Sequence, residues 1–460
     1  MLLVGCAPAD DAVEAIPTDP CVAHGEGIYA IDLETREILA LAGHRNETGG
    51  ASPIKFDVLP RDDGTFEFVY APDLEGNLYR FTADMREPTP RSTPPELVLE
   101  RAEGSRLNGP RYCDRGVVAF GDVGPTSVTL ATMDAETFRE RSTSTVAQAR
   151  ADGVLTPIQS EDFQIAADVS CRNIPEGLVY NGVDCTGTTS IDDCIADTDA
   201  VGAIRLKVSD DAAATALSAP QSDPDVIASP DRPPDVPLGD ADPDLVVAGD
   251  GTRHLMFERV YATAAVFDDP TLPSEFSRFG FFKLMYKRLE PDASAPEYEL
   301  DFRQWLGRTP EHVALVTPQM RIPQAATDSI EFTALGIFKT PNADRTFDED
   351  LYTGLLTGRF DGDLSQVQDG RIVLDAADVD GVLSYAQFTC HVWDTCGYVA
   401  DGDVYLYALF APRFLRSDTR DALAFSTTRE RLGSVEDGVL TFGNGTTMDA
   451  EAFRASICGP

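Results

Sequence analysis

The chain repeats one short pattern, and that repetition limits the fold more than any other property. Seven segments alternate apolar and polar residues and then enter a polar turn: IYAIDLETRE from residue 28, NLYRFTADMRE from 77, SVTLATMDAETF from 127, AIRLKVSDDA from 203, GFFKLMYKRLE from 280, LYTGLLTGRFDG from 351 and LAFSTTRERLG from 423. Period-two alternation rich in β-branched and aromatic residues predicts strands. From the second copy onward another apolar strand stands just before: FEFVYAP, GVVAFGDV, GLVYNGV, RHLMFERVY, IEFTALGIF and VYLYALFAP. Weaker apolar pieces lie further upstream, among them IKFDVLP, GPRYC, FQIAADVSC, DLVVAG and HVALVTP.

That spacing gives about four strands per unit, repeated along one chain, which predicts an all-β fold. The expected architecture is a β-propeller of about six to seven four-stranded blades with long acidic loops. The loops between second and third strands, such as DCTGTTSIDDCIADTDAVG and FDDPTLPSEFSR, would emerge on one face. Two β-sandwich-like domains are the rival arrangement. One literal echo supports repetition: Thr132-Met133-Asp134-Ala135-Glu136 with Phe138-Arg139 recurs as Thr447-Met448-Asp449-Ala450-Glu451 with Phe453-Arg454. The first copy lacks leading strands of its own, so the C-terminal VLTFGNG piece is a candidate to complete its blade. The sharpest composition shift is 209–244, where Pro and Asp recur and Arg232 is the only basic residue. It reads as a long surface connection, an insertion or a divide between domains, and not as a buried strand.

The start of the chain fixes an expected location. Leu3-Val4-Gly5-Cys6 resembles the lipobox of bacterial lipoproteins, in which the cysteine is acylated and the signal is cut before it. The resemblance implies a signal remnant at 1–5, a lipid-anchored tether at 6–22 and the folded domain at 23–460. It also implies a cell-envelope protein, with Ala7 in keeping with outer-membrane sorting. The charged start and most of the apolar segment of a secretory leader are missing, which suggests a start placed too late. No run approaches the ~18 apolar residues of a membrane helix, so the lipid would be the attachment.

With Cys6 set aside, eight cysteines remain: Cys21, Cys113, Cys171, Cys185, Cys194, Cys390, Cys396 and Cys458. An even number suits disulfides in an oxidising compartment, and their pairing stays open. Cys185 with Cys194 and Cys390 with Cys396 are the local candidates; Cys21 with Cys458 would tie the ends together. The formal charge of −40 repels phosphate backbones and excludes nucleic-acid binding. It favours cations, basic partners or a saline medium.

Three local likenesses bear on shape. Gly64 to Asp84, GTFEFVYAPDLEGNLYRFTAD, resembles a blade of TolB-type periplasmic propellers, and IYAIDLETREILAL resembles the strand-turn-strand of quinoprotein-type propellers. ADPDLVVAGDGTRHLMFERVY, 241–261, is similar to the opening blade of five-bladed propeller glycosidases. That likeness implies a carboxylate pair in a central pocket, one general base or nucleophile and one general acid, with Asp242 as the first. The partner acid motif is absent.

Other chemistry is thin. Zinc spacing, a nucleophile elbow, a phosphate loop and haem attachment are all missing. His391 and Trp393 lie between Cys390 and Cys396, either presented on a pinned loop or packed in a core. Asp378-Val379-Asp380-Gly381 imitates part of an EF-hand, but Ala376 and Gln387 fill its end positions. Calcium is the expected cofactor, if any, on the loop carrying Asp184, Asp192, Asp193, Asp197 and Asp199, weighed against a plain solvated loop. The function expected is a non-catalytic binding or scaffold protein that engages another envelope protein or a glycan through its loop face. A hydrolase with carboxylates in a central channel is the alternative. A stoichiometric subunit of an envelope machine is the third reading.

Overall fold

The computed structural model describes residues 27–35, 37–43, 54–72, 77–100, 106–113, 117–123, 127–149, 155–156, 169–170, 177–183, 202–208, 225–228, 237–248, 252–261, 281–288, 296–300, 312–322, 329–339, 352–361, 367, 369–372, 402–416, 420–442 and 445–453. Apart from a helical turn at 450–453, these residues form strands and turns, so the fold is all-β.

The chain opens with β1 (Gly27–Asp32) and β2 (Ile38–Gly43). The first complete sheet joins β3 (Ile54–Pro60), β4 (Thr65–Pro72) and β5 (Asn77–Asp84), with β6 (Arg91–Ser92) and β7 (Glu96–Glu100) both on β5. Next come β8 (Arg106–Cys113), β9 (Val117–Val123), β10 (Ser127–Asp134), β11 (Glu140–Ala149) and the short β12 (Leu155–Thr156). A third set is β13 (Val169–Ser170), β14 (Gly177–Val183), β15 (Gly202–Val208) and β16 (Asp225–Ala228). The fourth is β17 (Pro237–Val247), β18 (Arg253–Tyr261), β19 (Phe281–Arg288) and β20 (Glu297–Glu299). The fifth is β21 (His312–Arg321), β22 (Ser329–Lys339), β23 (Tyr352–Asp361) and β24 (Asp369–Ile372). Then follow β25 (Gly402–Arg416), β26 (Asp421–Glu436), β27 (Val439–Phe442) and β28 (Thr447–Asp449). Neighbours within each set pair antiparallel.

Alternation decides which neighbour each side chain meets. On β4, Phe66, Phe68 and Tyr70 pack with Ile28, Phe56 and Ala424. The residues between them, Val69 and Ala71, pack on the other face with Leu107, Val118 and Phe120. A sheet buried on both faces must be sandwiched between two others, and the period of two delivers apolar residues to both. Another core joins Met256 and Tyr286 of the fourth set to Phe332 and Phe360 of the fifth. Phe68 stacks on Phe81 at 4.5 Å, and Tyr286 meets Phe360 edge-on at 4.7 Å. Such pairs add about 0.5–1.5 kcal/mol beyond area burial.

The first two strands complete a sheet begun at the other end of the chain. β1 pairs antiparallel with β26 from Gly27↔Thr427 to Asp32↔Ala422. The order β25-β26-β1-β2 is therefore a four-stranded antiparallel sheet drawn from both ends. Every residue of β1 is buried, and Tyr29 stacks on Phe425 at 5.8 Å. Contrary to the expectation from sequence, VLTFGNG does not complete the first copy: β27 pairs with 433–436, further along the edge of β26 that β1 occupies.

The stretch 209–244 also differs from expectation. It contains β16 and the start of β17, and Asp244 is fully buried. Pro237 opens the strand, and Pro243 lies in a bulge where no ladder amide is needed, so proline is compatible with both places. A single parallel bridge, Gly202↔Gly239, joins the third and fourth sets, so one sheet crosses the stretch read as a divide.

Candidate functional site

The first strands of the sets carry a motif that repeats in four of them. Gly109-Pro110-Arg111-Tyr112, Asp242-Pro243-Asp244-Leu245, Thr317-Pro318-Gln319-Met320 and Ala411-Pro412-Arg413-Phe414 each hold a bulge at the first two residues. Gly109, Asp242 and Thr317 have φ of 56°, 44° and 51°. A left-handed threonine is strained because its branched Cβ crowds the backbone. The proline has no amide to offer the ladder, so a bulge is where it is tolerated.

The polar residue after each proline occupies one register position. Arg111 pairs with Ala119, Asp244 with Met256, Gln319 with Thr333 and Arg413 with Ala424. Asp57 holds this position on β3, opposite Val69, without a bulge. All five are buried. Three of them accept from an amide on the first strand of the set that follows in sequence. Asp57 Oδ2 accepts from the Tyr112 amide at 2.9 Å, Asp244 Oδ2 from the Met320 amide at 2.5 Å, and Gln319 Oε1 from the Phe414 amide at 3.0 Å. In each case the donor is the residue just after the polar position on the other first strand. Glu258 on β18 accepts from the Thr317 amide, and Thr333 Oγ1 donates to Pro412 O at 3.0 Å.

The charges at this position are paired where arginine is present. Asp57 Oδ1 lies 3.6 Å from Arg413 Nε and 3.9 Å from Arg111 Nη1. Arg413 also donates to Pro412 O and lies over the Phe56 ring at 5.9 Å. Beside them Tyr112 Oη donates to Glu67 Oε1 at 2.8 Å, and Arg61 pairs with Glu67. Burial, with the Glu67 carboxylate in contact, pushes the Tyr112 hydroxyl well above the ordinary tyrosine range, so it stays protonated and donates.

A second repeated device is an Asp-capped turn. Asp134 Oδ1 accepts from the amides of Glu136 and Thr137, and Asp32 Oδ1 from those of Glu34 and Thr35. Asp449 Oδ1 accepts from the Ala452 amide at the start of the helical turn. The TMDAE echo is thus a capping element in both its places.

Of the residues singled out from sequence, Asp242 is half-buried in the β17 bulge, two residues from Asp244. Cys113 ends β8. Cys6, Cys21, Cys171, Cys185, Cys194, Cys390, Cys396 and Cys458, the acidic loop Asp184, Asp192, Asp193, Asp197 and Asp199, and the His391–Trp393 loop lie outside the described residues. His254 is buried, with Nδ1 2.8 Å from Tyr286 Oη. Among the described residues no three His, Cys, Asp or Glu side chains are grouped to hold a metal ion, and no helix is long and apolar enough to cross a membrane. The Pro-bulge motif and its polar position were missed from sequence, though the shared Pro-polar-apolar triplet was there to find.

Together these residues define an all-β chain of successive antiparallel sheets tied by buried polar side chains on their first strands. No protein-family model matches it, and no curated protein does. Solved structures match only distantly. A protein of unknown function from Dyadobacter fermentans DSM 18053 is 9% identical with a TM-score of 0.41, covering 88% of this chain and 99% of its own. An oligogalacturonate lyase in complex with manganese is 9% identical with a TM-score of 0.31, covering 83% and 98%. A quinohemoprotein alcohol dehydrogenase from Pseudomonas putida HK5 is 11% identical with a TM-score of 0.33, covering 78% and 65%. At these scores none of them bears on what the chain binds or does.

Proposed function

We propose that the chain is a six-bladed β-propeller, lipid-anchored through Cys6 in the cell envelope. It acts as a binding or scaffold protein that engages another envelope protein or a glycan through its loop face. The observation that carries the non-catalytic reading is the use made of the polar position on the first strands. Asp57, Asp244 and Gln319 each spend an oxygen on an amide of another sheet, so these residues serve cohesion. The propeller reading is supported by how first strands touch: β3 with β8, β8 with β13, β13 with β17, β17 with β21, β21 with β25, and β25 with β3. Sheets buried on both faces and a last sheet completed by β1 and β2 support it too. Long loops on a rigid scaffold are where binding resides.

The test is a pull-down of native protein from gently solubilised envelopes, with crosslinking and mass spectrometry. A stoichiometric protein partner or a retained glycan, with an acylated Cys6 peptide, is the expected result. An unmodified Cys6 and no retained component would refute it. One observation favours the alternative of a glycan hydrolase: Asp242 is a half-buried carboxylate in a left-handed bulge, and strained residues gather at functional sites. Glycan turnover abolished in Asp242→Asn would establish that reading instead.

A further inference from the structure

We propose that a hard, calcium-sized cation binds between the β17 and β21 bulges, held by Asp244, Glu258 and Thr317. The comparison of Asp244 with Asp57 drives this. Both are aspartates at the same register position of first strands, and both are 0% exposed. Asp57 has two guanidinium groups, Arg111 and Arg413, within ion-pair distance from the same position on the adjoining strands. On the β21 side of Asp244 that position holds Gln319, opposite Thr333. Gln319 brings no positive charge. One oxygen of Asp244 takes the Met320 amide; the other, Oδ1, has no hydrogen-bond partner among the described residues.

A buried carboxylate is paired, coordinates a cation or gives up its charge. Hard oxygen donors adjoin the β21 bulge from both β17 and β18. Thr317 Oγ1 is buried and likewise has no hydrogen-bond partner among the described residues. Thr317 lies in the bulge that precedes the amide bound by Asp244, and its own amide is bound by the buried Glu258. Bulges at Asp242-Pro243 and Thr317-Pro318 take backbone carbonyls out of ladder pairing on both strands. Two carboxylates, a hydroxyl and carbonyls are the donor types calcium takes, in flexible geometry. Two of the donors are acidic, which is consistent with no group of three acidic, His or Cys ligands here. The chain's charge of −40 raises the local cation concentration.

The test uses the full chain, stripped with chelator, with thermal unfolding followed as CaCl2 or NaCl is added. Calcium should raise Tm progressively, as a ligand of the native state does, beyond the NaCl control. That response should vanish in Asp244→Asn and weaken in Thr317→Val, which leaves both carboxylates in place. Calcium titration by calorimetry should show one binding event lost in the same variants. A calcium response unchanged in both variants would place the cation elsewhere, including the acidic loop at 184–199, and overturn the proposal. No calcium response in the wild-type chain would overturn it too.

Discussion

The carboxylate of Asp57 on β3 lies 3.6 Å from Nε of Arg413 on β25, and both side chains are almost wholly buried. The sheets formed near opposite ends of the sequence therefore meet through an ion pair shielded from water. Removing one partner of such a pair leaves the other charge uncompensated. Asp57→Asn should cost about 3–5 kcal/mol, read from the shift in urea midpoint at unchanged m-value.

The pairing of β1 with β26 gives a second expectation. Tyr29 is 1% exposed and stacks on Phe425 across the β1–β26 pairing. Tyr29→Ala should destabilise by about 3–5 kcal/mol, the range for deleting a large core aromatic. Amide exchange should rise first at the alternate amides of 422–427 that face β1 and not at those that face β25. Uniform exchange across all sheets would contradict this local role.

Gly358 on β23 faces Phe332 on β22, its cross-strand partner. A Cβ there would come within 2.4 Å of the Phe332 ring, which has no exposed edge to move towards. Gly358→Ala should cost about 1–3 kcal/mol through overpacking. The double change Gly358→Ala with Phe332→Leu should recover part of that loss, and failure to recover any would refute the steric cause.

Acid should loosen the β1–β26 pairing. Burial disfavours the charge on Asp32, but hydrogen bonds from Thr35 and Glu34 and the Arg420 guanidinium outweigh it and hold the carboxyl below its ordinary value of 3.8. Folding thus favours the ionised form. Its contribution is fully present above 3.8 and is lost as pH falls through the lower folded-state value. Tm should drop below about pH 4, and Asp32→Asn should flatten that drop. An identical pH profile in the variant would exclude Asp32 as a contributor.

Strand pairs were legible because successive side chains point to opposite faces, which leaves alternation in NLYRFTAD, where the faces differ in burial, and a nearly continuous apolar run in FEFVYAP, where both are covered. The recurrence of antiparallel strand sets along the chain followed from spacing. The partner of β1 did not: VLTF and ALAF are equally strand-like, and only the three-dimensional neighbourhood of Tyr29 and Phe425 chooses between them. Pro243 misled in 209–244 because proline breaks regular ladders yet fits a bulge, and a bulge depends on the partner strand. The polar position of the first strands is not marked by one residue type, since Asp57 and Asp244, Arg111 and Arg413, and Gln319 all fill it, and only the proline before four of them shows in the sequence. They share a place in the register.

The pairing of Gly27 with Thr427 spans 400 residues. The earliest of the described strands must wait for one of the latest. At ordinary synthesis rates that wait is roughly 20–80 s, during which the apolar stretch GIYAID can pair with β2 but has only one of its two strand neighbours. Nascent chains are thus exposed to self-association for most of their production, and a holding chaperone would matter more at this N-terminal hairpin than at any internal sheet.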